Sequence, residues 1–114
     1  ILAAVLLPQF LGFTTEARKS SVVSGAKDML TAIQTIYSLD GEAGITEAAI
    51  TKIIPTYTAT AVTAAAADNG KCNVTVTGTY VNATTGLVSF TYKQVVDGTI
   101  YTVVVTNNVV GNAS

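Results

Sequence analysis

The residues that could do chemistry in this chain are few. None of its 114 residues is His, which removes the commonest general base and metal ligand. Its one cysteine, Cys72, cannot close an intrachain disulfide. With only Lys71 nearby to lower its pKa, Cys72 is expected to be a small half-buried thiol in a strand rather than a nucleophile. Asp40, Glu42 and Glu47 gather near one loop, and Asp97 could be joined by Asn107 or Asn108, so either group could offer oxygens to Ca²⁺. Calcium takes roughly six to eight oxygens and neither group forms a complete ligand loop. No metal site and no cofactor are expected. A hydrolase or transferase would need a nucleophile with a base, or a carboxylate pair, and the sequence offers neither, so the expectation is a protein that is not an enzyme. Asn73-Val74-Thr75, Asn82-Ala83-Thr84 and Asn112-Ala113-Ser114 match the acceptor triplet for asparagine glycosylation. A chain this rich in Asn and Thr also produces that triplet by coincidence.

The elements that must position these groups begin with one long helix over residues 1–40. Residues 1–13 are apolar nearly all the way round, with Gln9 the only polar side chain. A helix apolar on every face has to be buried in protein or lipid. The character changes at Thr14. Beyond it Val22, Ala26, Met29, Leu30, Ile33, Ile36 and Tyr37 recur at spacings of three and four, the pattern of a single core-facing stripe. At about 1.5 Å per residue the helix would run roughly 57 Å, too long for so small a head to cover. One end is expected to project. Pro8 denies an N–H to the carbonyl of Ala4 and should bend or open the helix there, and Gly12 adds backbone freedom one turn later.

The run ILAAVLLPQFLGFTTEARKS resembles the downstream half of the N-terminal segment of type IV pilins, in which an apolar helix ends in a motif close to GILAAIAIPQF and continues as an amphipathic helix. The match is detailed over about the first twenty residues. The resemblance implies a filament subunit whose assembly element is residues 1–13, carried by Ile1, Leu2, Val5, Leu6, Leu7, Pro8, Phe10, Leu11, Gly12 and Phe13. It also implies an upstream extension with a methylated aromatic terminus and a Glu. The opening on Ile within an apolar run fits such an extension, since seven apolar residues before Pro8 fall short of the ~20 that cross a bilayer. Members of the family often close their C-terminal region with a cysteine pair, which a single Cys72 cannot do.

After the helix, Gly41 and Gly44 mark a loop. The connecting region 41–71 is expected to carry a short helix over 46–54. Thr46 is its N-cap, Ile45 and Ile50 form a staple, and Pro55 is the stop. Ala49, Ile50, Ile53 and Ile54 should face the long helix. Residues 56–67 mix Thr and Ala without a clear period and are taken as a connector. From Cys72 the period becomes two. Val74, Val76 and Tyr80 share one side of a first strand, with a turn at 82–86. Val88, Phe90, Tyr92, Gln94 and Val96 then share one side of a second. Asp97-Gly98 is the strongest hairpin signal, and in the third strand Tyr101, Val103 and Val105 oppose Ile100, Thr102 and Val104. An antiparallel meander over 72–106 follows, with a Thr-rich outer face and a loosely ordered polar tail over 107–114. The expected fold is α+β in one domain of 114 residues: a long N-terminal helix packed on a small antiparallel β-meander, similar to the type IV pilins.

Net charge −1 and six Lys plus Arg leave no electrostatic footprint for nucleic acid. The expected function is a structural subunit that polymerises through its apolar helix into a type IV pilus on the bacterial surface, for adhesion, motility or DNA uptake. A major pseudopilin of a type II secretion system is the alternative. A complete calcium loop after the sheet would favour that alternative, and none is seen. Partners on this reading are identical subunits in a helical homopolymer, the inner membrane before assembly, and the pilus assembly machinery.

Overall fold

One helix and one sheet account for most of the chain. The computed structural model describes residues 2–76 and 78–114, with side chains described from Thr15 onward. Helix α1 covers Leu2–Asp40. Val22, Ala26, Met29, Ile33 and Ile36 are buried on one side of it, the stripe that their spacing requires, and Leu30 and Tyr37 pack partly buried at its margins. Gly41 ends the helix with φ +75° and donates its N–H to the Tyr37 carbonyl at 2.9 Å. A side chain there would strain a left-handed residue, and glycine has none.

A 3₁₀ turn, Glu42–Gly44, leads into helix α2, Glu47–Ile53. Thr46 caps it, accepting from the Ala49 N–H at 3.3 Å, and Ile45 and Ile50 both enter the core. Ile53 does not follow them, contrary to its expected place on the buried side. It is 48% exposed, whereas Ile54 packs on the core. Four residues on from Ile50 return closer to the same azimuth than three do, so a two-turn helix can seat Ile54 but turns Ile53 outward.

The connector does more than join elements. Thr58 donates to the Cys72 carbonyl at 2.9 Å and Cys72 donates to the Thr56 carbonyl at 3.0 Å, making Tyr57 a parallel partner of Cys72. Lower down, Gly70 donates to Val95 O and Val95 donates to Lys71 O. These bonds cover one edge of the sheet, which would otherwise be open for pairing. Its alanines form only a 3₁₀ turn, Ala66–Asp68.

The sheet is an antiparallel meander of four strands in chain order: β1 Cys72–Thr75, β2 Phe90–Val96, β3 Thr99–Thr106 and β4 Val109–Val110. Val103 and Val105 are fully buried, and Tyr92 and Tyr101 nearly so, all facing α1. Two expectations are corrected here. The first strand stops at Thr75 instead of running toward Tyr80, because Gly78 takes φ +83° and the Glu42 carboxylate claims the Tyr80 and Val81 N–H groups. The tail is not loose: Asn107 and Asn108 both adopt positive φ, the requirement of a tight hairpin turn, and return the chain as β4. Gly111 then donates to Val104 O, and Ser114 and Thr102 exchange both backbone bonds at 2.9 and 3.0 Å.

Gly25 lies within α1 where the Tyr92 and Gln94 side chains reach the helix backbone. The Tyr92 hydroxyl donates to Gln94 Oε1 at 2.7 Å, and a Cβ on Gly25 would lie 2.5 Å from that hydroxyl and 2.8 Å from that oxygen. Tyr92 is held in the core and cannot swing clear. Gly25→Ala should therefore lower the urea midpoint, although alanine is worth about 1 kcal/mol more than glycine in a helix. Tyr92→Phe in that background should recover part of the loss, and a rise in midpoint from Gly25→Ala alone would contradict the packing described here.

Candidate assembly interface

The residues singled out for assembly, Leu2, Val5, Leu6, Leu7, Pro8, Phe10, Leu11, Gly12 and Phe13, fall in the first turns of α1. Their side chains lie outside the described residues, as does Ile1, and with them the expected bend at Pro8. The described part of the interface is the place where the helix leaves the sheet. Thr15, Glu16 and Ala17 are all exposed, and three successive residues sweep most of the circumference of a helix. Coverage begins with Arg18, and full burial with Val22.

Arg18 marks the exit point. Its guanidinium meets the Asp97 carboxylate at 2.9 Å, tying the β2–β3 turn to the helix. The Asp97 side chain is 72% exposed, so the pair is worth at most about 1 kcal/mol. It fixes where the hairpin tip lies more than it holds the fold together. No sequence pattern announced it, since the partners are 79 positions apart.

Two further surfaces flank the exit. The uncovered side of α1 carries Ser20, Ser21, Ser24, Lys27, Asp28, Thr31, Gln34, Thr35 and Ser38. Thr31 and Thr35 donate to the carbonyls four residues back, at 3.1 and 2.8 Å, which satisfies their hydroxyls without a partner molecule. A groove of about 820 Å³ separates this side from Ile53, Ile54 and Pro55. On the outer face of the sheet, the register sets Val104 opposite Thr91 and Val109 opposite Thr106. Val104 is 53% exposed and Val109 68%, so the face is Thr-rich as expected but carries β-branched apolar side chains among the threonines.

Two of the carboxylates considered for calcium, Glu42 and Asp97, have partners of their own. Glu42 accepts from the Tyr80 N–H at 2.7 Å and the Val81 N–H at 3.2 Å, joining the end of α1 to the sheet. Asp97 and Asn108 do not come together. Their turns lie at opposite ends of β3, whose eight residues extend about 27 Å. Asn108 instead binds Val88 through both its side-chain oxygen, at 2.7 Å, and its backbone N–H, at 2.8 Å. Asp68 accepts from the Thr63 N–H and hydroxyl at 2.8 and 2.9 Å, and these bonds hold its carboxyl below the usual range. Among the described residues, no three His, Cys, Asp or Glu side chains gather as a metal-binding group.

Cys72 is fully buried, beyond the half-burial expected, with its sulfur 3.7 Å from the Thr56 hydroxyl. Burial pushes the thiol up, outweighing the hydrogen bonds to Thr56 and Tyr92. Burial likewise raises the Tyr92 phenol, and it pushes Tyr57 up to about 12, assisted by Tyr80. Each group favours its neutral form more in the folded chain than in the unfolded one. The resulting stability is complete below the unfolded values and is lost as pH rises toward the folded ones. The urea midpoint should accordingly fall between pH 9 and 12, and Tyr92→Phe should flatten that fall; a midpoint constant over this range would count against it. In comparisons with known proteins, no family model, no curated protein and no solved structure matches this chain.

Proposed function

We propose that the chain is a non-enzymatic structural subunit that polymerises through its apolar N-terminal helix into a type IV pilus filament on the bacterial surface. The observation that carries this reading is the continuation of α1 beyond its cover. The helix is exposed at Glu16 and Ala17, yet extends N-terminally to Leu2 with the sequence LAAVLLPQFLGF. About 24 Å of helix precedes Arg18. Side chains apolar on all sides at that point need lipid or protein around them. No helix among the described residues is long and apolar enough to cross a membrane. Copies of the same segment can take the place of lipid, at ~25 cal/mol for each Å² of apolar surface buried.

The geometry of such an assembly is heterologous: the shaft of one subunit meets a different surface of the next, and contacts of that kind extend as helical filaments when the rotation does not close. Residues 1–13 are the assembly element in this reading, with Pro8 and Gly12 setting its pliancy. The Thr-rich head faces solvent, where it would serve adhesion, motility or DNA uptake. Before assembly, the segment rests in the inner membrane and is handed on by the pilus assembly machinery.

Filaments sheared from the source cells and examined by mass spectrometry should contain this chain as a major component. Leu11→Asp should remove it from that fraction while leaving the near-ultraviolet circular dichroism of the head unchanged. Finding the wild-type chain only in membranes and never in sheared filaments would transfer the reading to a pseudopilin. Finding it as a soluble monomer would sink both.

A further inference from the structure

The three asparagine triplets are not equivalent in the fold, and one of them has the properties of a modification site. Asn73 is 4% exposed, and its Nδ2 donates to the Thr58 carbonyl at 2.7 Å. An amide so placed cannot take a sugar without breaking the connector away from β1. Asn112 is exposed but sits in the extended tail zipped onto β3, beside Glu16, Lys19 and Ser20 of α1. A glycan there would crowd the helix.

Asn82 differs from both. Residues 82–86 are all exposed, forming the loop between the bridged pair Val81 and Val88. The Asn82 Oδ1 accepts from the Thr84 N–H at 2.8 Å and from the Thr85 N–H at 3.1 Å. With the carbonyl side of the planar amide turned into the loop, Nδ2 points away from it. No hydrogen bond among the described residues engages that nitrogen. Glu42 holds the neighbouring Tyr80 and Val81, so the loop lies beside the C-terminal end of α1. It therefore lies at the other end of α1 from Leu2 and the turns that follow it, and a bulky group there leaves the shaft free.

We propose that Asn82 is an attachment site for an asparagine-linked glycan. The substrate class is an oligosaccharide carried on a lipid pyrophosphate, delivered by a transferase. Nδ2 attacks the anomeric carbon, forming the C–N bond as the anomeric C–O bond to phosphate breaks. The pyrophosphoryl lipid leaves with the electron pair, and the amide proton passes to a base of the transferase. Nothing is oxidised or reduced. The Thr84 hydroxyl supplies the third residue of the acceptor triplet. Glycans at this site would cloak the end of the head opposite the assembly segment, adding polar surface where the sequence supplies few charges.

Full-length protein purified from its own source cells and cleaved after lysine yields one fragment holding Asn73 and Asn82, residues 72–93, and another holding Asn112, residues 94–114. Electron-transfer fragmentation should place the sugar mass on Asn82, with Asn73 and Asn112 bare. Thr84→Ala should abolish the modification with Asn82 still present, whereas Thr85→Ala should retain it. A bare Asn82, or sugar found only on Asn73, Asn112 or a threonine hydroxyl, overturns the assignment. The result is independent of filament formation, which the sheared fraction reads separately.

Discussion

Everything in the head depends on the contact between one stripe of α1 and the inner face of the sheet. The sheet's inner face is apolar and needs cover, and the second half of α1 is polar on every side but one. Val22, Ala26, Met29, Ile33 and Ile36 supply the cover that Phe90, Tyr92, Val103 and Val105 require. Burying each larger side chain contributes about 1.5–3 kcal/mol, so the stripe outweighs the exposed Arg18–Asp97 pair several times over. The direction in which α1 leaves the head is thus set by packing, with the ion pair trimming the position of the hairpin. Gly25 belongs to the same contact: it lets the hydrogen-bonded Tyr92 and Gln94 side chains reach the helix backbone.

The second constraint is how the sheet is closed at its edges without a disulfide. On the proposed pilin reading a cysteine pair would often fasten the last segment, whereas Cys72 is alone and buried. Here hydrogen bonds perform that service. The connector pairs with Cys72 along one edge, and the tail is fixed along the other by Asn108 on Val88 and by the reciprocal bonds of Ser114 and Thr102. Glu42 ties the span before the 82–86 loop to the end of α1. Each of these is an ordinary hydrogen bond whose net worth is about 1 kcal/mol.

What the sequence revealed and what it withheld divide along physical lines. Periodicity exposed the stripe of α1 and the inward row Tyr101, Val103 and Val105, because burial repeats at the period of the element itself. Local rules exposed the Thr46 cap, the Gly41 stop and the Asp97-Gly98 turn, each decided by residues within a few positions. Asn107-Asn108 obeys the same positive-φ rule as Asp97-Gly98, but two asparagines before a polar end resemble a frayed tail, so β4 went unseen. The burial of Asn73 under the connector, the Arg18–Asp97 pair and the work of Glu42 are long-range facts with no local signature. The apolar segment at the N-terminus was legible because a run without a polar side needs no tertiary information to be recognised.

The sparse charge of the head bears on the same question. A filament stacks identical subunits, so any charge a subunit carries is repeated at every step, and self-repulsion grows with it. Net charge −1 and a charged fraction of 11% keep that penalty small. Threonine takes the place that Lys and Glu hold on most soluble surfaces, giving hydrogen-bonding groups without a field. On α1, Thr31 and Thr35 turn their hydroxyls back to the helix and so satisfy their own donors, on a face whose charges are Lys27 and Asp28. A surface of this kind is poorly suited to keeping monomers apart. On the filament reading proposed above, that is what subunits packed against copies of themselves require.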